Sequence, residues 1–71
     1  MNKLYQAALD YYKAKKSEAL AHLDIYFNES VGIGEHSDLL KEVLMWTEKL
    51  TDAEDNIKTL QKNFGEYNES N

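Results

Sequence analysis

From Asp38 to Phe64 the apolar side chains fall alternately four and three residues apart: Leu39, Val43, Trp46, Leu50, Ala53, Ile57, Leu60 and Phe64. A spacing that averages 3.5 residues belongs to an α-helix that keeps one stripe against a neighbouring helix along its whole length, at a shallow left-handed crossing. The pattern therefore predicts a helix over about 38–64, packed on a helix from the same chain or from a second copy. Thr51-Asp52-Ala53-Glu54 has the spacing of a capping box, which would restart the helix there. The heptad passes through Thr51 without a skip, and no glycine or proline marks a turn, so an unbroken helix is expected.

The first third of the chain carries a second stripe. Tyr5, Leu9, Tyr12, Ala19, Leu23 and Tyr26 follow the same four-three spacing, with Lys16 as the one charged intruder and Leu4, Ala8, Leu20 and Phe27 widening the face. No glycine or proline interrupts Lys3 to Asn28, and alanine and leucine, both strong helix formers, recur throughout. A helix over about 3–28 follows. Its alanines at 7, 8, 14, 19 and 21 let another helix approach closely, and its tyrosine hydroxyls need water or a polar partner.

Between the two stripes lies the only clear break, residues 29–37. Gly32 can adopt the left-handed conformation that ends a helix, and Val31 and Ile33 give the connection apolar side chains with which to cover the end of a bundle. Ser37 is expected to cap the second helix, with Asp38 favourably placed in its first turn. Gly65 is expected to end that helix, leaving 65–71 as a flexible polar tail. The two helices come to about 26 and 27 residues, roughly 40 Å each at 1.5 Å per residue. Matched lengths and a short connection give an all-α antiparallel helical hairpin, a single domain over 1–71. Two helices leave each other's flanks wet, so two hairpins are expected to pair as a homodimer into a four-helix bundle, mainly through the second-helix stripe and the aromatic stripe of the first helix.

Composition narrows the chemistry. The 71 residues contain no cysteine, so there is neither a disulfide framework nor a thiolate. No apolar run approaches the roughly 20 residues of a membrane span, and Lys3 is followed by no apolar stretch like that of a signal peptide. A cytoplasmic protein is expected, and the glycosylation-like triplets at Asn28 and Asn68 are then matters of chance. The net charge of −5 hides an asymmetry: residues 1–16 hold four lysines against one acid, whereas 17–71 hold four lysines against twelve. All eight basic residues are lysine, so the side chain best suited to bidentate phosphate or guanine recognition is missing.

Several small constellations invite a chemical reading. Glu35 beside His36 pairs a carboxylate with an imidazole that can move protons near neutrality, but no nucleophile or second base lies nearby in sequence. Glu18 and His22 stand one helical turn apart; di-metal bundles use Glu-x-x-His on two helices, and here the spacing is Glu-x-x-x-His, once only. Gly32-Ile33-Gly34 is too short for a phosphate-binding loop and lacks its lysine and preceding strand. No catalytic, cofactor or metal site is therefore expected. Tyr11, Tyr12, Lys13, Lys15 and Lys16 combine aromatic faces with positive charge, as single-stranded nucleic-acid binders do. The acidic total and the absence of arginine weigh against that use.

The run Val31-Gly32-Ile33-Gly34-Glu35-His36-Ser37-Asp38, followed by a helix rich in Leu, Glu, Lys and Asp, resembles short helical-hairpin proteins encoded by T4-like marine phages, over about residues 31–60. Members of that group often carry proline where this chain has Ser37. The group has no assigned activity, so the resemblance implies a phage accessory protein, acting in the host cell, and transfers no catalytic role. It also draws attention to Val31, Gly32, Ile33, Gly34, Glu35 and His36 as a loop whose contacts matter. The expected function is binding without catalysis: a self-associating hairpin that presents an acidic surface to a host or phage protein. The alternative is nucleic-acid binding by the tyrosine- and lysine-rich first helix.

Overall fold

The computed structural model describes residues 2–28 and 36–69, and in these it is an all-α helical hairpin. Helix α1 spans Lys3–Asn28 and helix α2 spans His36–Glu69. They lie side by side and antiparallel in a rod of 49 × 15 × 15 Å.

Helix α1 has the bounds its apolar spacing predicts. Its N-terminus is capped by Asn2, whose Oδ1 accepts the backbone N–H groups of Leu4 at 2.8 Å and Tyr5 at 3.1 Å. The Asn2 carbonyl accepts the N–H of Gln6 at 3.0 Å, the first bond of the helical ladder. The α1 stripe faces α2. Tyr5, Leu9, Ala19 and Leu23 are buried, and Tyr12, Lys16 and Tyr26 are half-buried. Complete burial of a leucine such as Leu9 contributes about 2 kcal/mol. Leu4, Leu20 and Phe27, expected to widen the stripe, are exposed instead.

The α2 stripe finds its partner in α1 of the same chain. Ala53 is buried, and Leu39, Val43, Trp46, Leu50, Ile57 and Leu60 are half-buried. The helix runs through Thr51 without a break, as the uninterrupted heptad requires. Ala19 and Ala53, both almost completely buried, put the smallest side chains where the helices meet.

The ends of α2 differ from expectation. The helix begins at His36, which places Ser37 inside its first turn rather than before it as a cap. At the other end it continues through Gly65 to Glu69, so Gly65 is not the terminating residue and the tail does not start there. The reason is tertiary. Gly65 is buried, and a Cβ at that position would stand 3.4 Å from the Tyr5 hydroxyl. The Tyr5 phenol lies against α2 there, in a space that a side chain larger than a methyl would fill, and it donates a hydrogen bond to Glu69, whose carboxylate stands beside the same position. Packing offsets the poor helix propensity of glycine. For the same reason Phe64, expected on the seam, is 52 % exposed while its neighbour Gly65 faces α1. A straight helix drifts relative to a strict heptad, and here the contact line steps one residue along.

Val31, Gly32, Ile33, Gly34 and Glu35 lie outside the described residues, and with them the expected cover over the bundle end.

Candidate functional site

Three cross-helix relationships fix the register and define two flanks. Near the connection, Tyr26 on α1 donates a hydrogen bond of 2.9 Å to Glu42 Oε1 on α2. One turn further in, the His22 imidazole stacks on the Trp46 indole, centroids 3.8 Å apart and planes 8° from parallel. At the open end, Tyr5 donates to Glu69. Two of the three tyrosines of the α1 stripe, Tyr5 and Tyr26, thus meet a carboxylate, which satisfies a partly buried phenol.

These carboxylates alter the phenols. The Tyr5 pKa is pushed up to about 12, first by burial and then by the hydrogen bond to Glu69 and its negative charge. Tyr26 is also raised, first by its hydrogen bond to Glu42 and then by burial and the Glu42 charge. The Trp46 indole N–H stands near enough to the Tyr26 oxygen to oppose that rise. Yet Trp46 Nε1 is buried and makes no hydrogen bond of ordinary geometry. Proximity without a formed bond reconciles the two observations.

Between the helices on one flank runs an open groove of about 250 Å³. From α1 it is lined by Tyr11, Tyr12, Lys15 and Glu18, and from α2 by Trp46, Lys49, Asp52, Ala53 and Asn56. Tyr11 and Tyr12 meet edge to face, with centroids 5.3 Å apart. Lys15 sits 5.5 Å from the centre of the Tyr11 ring and Lys49 sits 5.7 Å from the centre of the Trp46 ring. Both distances suit a cation over an aromatic face. Lys15 also stands 3.9 Å from Glu18 across one turn, an exposed pair of small energetic weight. The opposite flank carries a more polar groove of about 420 Å³, where Lys16 lies 4.0 Å from Glu54.

The five residues considered for nucleic-acid contact are therefore divided. Tyr11, Tyr12 and Lys15 line the aromatic groove, Lys16 belongs to the opposite flank, and Lys13 is exposed away from both linings. Glu18 on α1 and His22 stay one turn apart, but His22 is committed to its stack on Trp46. Among the described residues no group of three or more His, Cys, Asp or Glu side chains is arranged to hold a metal ion. Glu35 lies outside the described residues, and His36 opens α2.

The α2 contribution to the groove, Lys49, Asp52 and Asn56, was not singled out by sequence. Its signal was present as a polar stripe flanking the heptad, a pattern that by itself reads as a solvated face. Among the described residues no helix is long and apolar enough to cross a membrane. What fold and surface define is a small helical hairpin with one aromatic, charge-lined flank. Comparison with protein-family models, curated proteins and solved structures found no match.

Proposed function

We propose that the chain acts by binding rather than by catalysis, as a self-associating helical hairpin that engages a protein partner. The observation that carries this reading is the imbalance between what the hairpin buries and what it leaves outside. Among the described residues the buried apolar ones are Tyr5, Leu9, Ala19, Leu23 and Ala53, two of them alanines. Leu4, Tyr11, Leu20, Ile25, Phe27, Leu40, Leu44, Met45, Phe64 and Tyr67 all remain exposed. A core of that size is small for an independent domain of this length, and association between copies is the usual remedy where disulfides are absent. The acidic excess after residue 16 would then lie on the outside of the assembly, available to a protein partner from the host cell or from a phage. The likeness of residues 31–60 to phage hairpin proteins agrees with such an accessory role in the cytoplasm of an infected cell.

Sedimentation equilibrium over a wide range of concentrations tests self-association. The expected result is a dimer whose melting temperature rises with concentration. A monomer with a concentration-independent melt overturns the reading.

One observation favours a second reading: Tyr11, Tyr12 and Trp46 share a groove with Lys15 and Lys49. Aromatic faces beside cations are the elements of single-strand binding. Glu18 and Asp52 in the same groove oppose an anionic ligand. Fluorescence anisotropy with labelled single strands should show binding that weakens steeply with salt if this second reading holds, and a flat trace removes it.

A further inference from the structure

Three of the exposed apolar residues of α1, Leu4, Tyr11 and Ile25, share one face with Ala8, Lys15, Glu18 and His22: the seven follow one another four and three residues apart and form a second, mixed apolar and charged stripe along α1. It lies on the groove flank, since Tyr11, Lys15 and Glu18 line the groove and His22 stacks on Trp46 there. Leu4 is 81 % exposed, and Tyr11 and Ile25 are also open. On the same flank α2 presents Met45, Lys49, Asp52 and, at the open end, Tyr67, which is 84 % exposed.

Resting on the self-association proposed above, we infer that the second copy seats on this groove flank, with α1 of each copy against α2 of the other and both connections at the same end. A two-fold axis along the rod keeps every residue at its own height, so the antiparallel register within the chain also applies between copies. Within the chain His22 lies opposite Trp46 and Tyr26 opposite Glu42. That register sets Lys15 against Asp52 of the second copy and Glu18 against Lys49 of the second copy. The ends of the stripe match as well: Ile25 meets the level of Met45, and Leu4 meets the level of Tyr67.

The charges select this orientation over its inverse. If the two rods overlapped fully with their connections at opposite ends, α1 would face α1 of the other copy. The middle of Lys3–Asn28 falls beside Lys15, so Lys15 would oppose Lys15. Like charges face to face are unfavourable. The face is also large enough: 49 Å by 15 Å is of the order of the roughly 800 Å² that each partner contributes to a stable interface. The Tyr11 ring and the groove beside it would then interlock as a knob and a hole. Apolar residues on the other flank, Leu20, Phe27, Leu40 and Leu44, form no stripe of comparable length.

Spin labels on Lys3→Cys test the arrangement, because Lys3 is exposed at the open end. Copies with their connections together bring the two labels within about 30 Å, the width of a four-helix bundle with axes 8–10 Å apart. Inverted copies hold them near the full length of the rod, 49 Å. A dimer with the short distance supports the inference. A dimer with the long distance overturns it and leaves self-association standing. Absence of any dimer overturns both. A second pair of variants tests the flank by sedimentation: Tyr11→Glu should shift the dimer to monomer at unchanged helix content, and Leu20→Glu should leave the dimer intact. The reverse outcome assigns the interface to the other flank and overturns the inference.

Discussion

The imidazole of His22 on α1 lies flat on the indole of Trp46 on α2, 3.8 Å between centroids and 8° from parallel. Offset or parallel ring pairs contribute about 0.5–1.5 kcal/mol beyond the area they bury. His22→Ala is therefore expected to lower unfolding free energy by about 1 kcal/mol. Trp46 is the sole tryptophan, so its emission reports the same change directly. Urea titration followed by tryptophan fluorescence checks both, and an unaltered midpoint with unaltered emission would mean the stack is absent in solution.

The two raised tyrosines make stability fall at alkaline pH. In the unfolded chain a tyrosine loses its proton near 10, whereas folded Tyr5 keeps its proton to about 12. Between those values the folded state holds more protons, so stability declines as pH rises; below 10 the contribution is complete, and above about 12 it is gone. Tyr26 adds to the decline in the same sense. Thermal melts from pH 9 to 12 should show a steeper fall for the natural chain than for a Tyr5→Phe, Tyr26→Phe double variant. Superimposable profiles would count against both tyrosine–carboxylate contacts.

Gly65 offers a change of sign with size. A methyl group there meets the Tyr5 hydroxyl at 3.4 Å, an ordinary contact, while alanine removes the entropic cost of glycine within a helix. Gly65→Ala should stabilise by about 0.5–1 kcal/mol. A larger residue such as Leu would push the phenol off α2 and break its bond to Glu69, so Gly65→Leu should destabilise. Chemical denaturation of the two variants decides whether Tyr5 truly rests there.

The seam can be tested at its tightest and its most apolar points. Ala19 is completely buried, and Ala19→Leu adds atoms for which the helices have no room, an expected loss of about 1–3 kcal/mol. Leu50→Glu sets a charge into the half-buried seam without a partner and should abolish the cooperative melt seen by circular dichroism. An unchanged mass and melting curve for Leu50→Glu would place that residue outside the packing.

Much of this architecture is legible in the sequence because heptad spacing and helix packing are the same geometry. Leu39 to Leu60 and Tyr5 to Tyr26 line the interface their spacing predicts, and the bounds of α1 follow from the break after Asn28. The far end of α2 was not legible. Gly65 and the polar residues after it have the local preferences of a helix stop, and only the approach of Tyr5 from sixty positions away overrides them. The Asn2 cap was equally hidden, since asparagine one residue from a terminus is unremarkable until its side chain is seen on the N–H groups of Leu4 and Tyr5. The groove fared between these extremes: Tyr11, Tyr12 and Lys15 stood out as a cluster, but only the hairpin register brings Lys49 and Asp52 beside them.

The contact between Tyr5 and Glu69 also decides how the molecule would respond to tension. Tyr5 and Glu69 stand at the same end of the rod, so a pull applied between the start of α1 and the end of α2 opens the helices like a zipper rather than sliding one along the other. The first fastening to carry load is the tyrosine–carboxylate pair, and each later contact, up to the His22–Trp46 stack, is loaded only when its neighbour has let go. A tether attached at Lys3 and Glu69 would part this hairpin gradually and at low force, whereas one anchored at Lys3 and at the start of α2 would have to shear the whole seam at once.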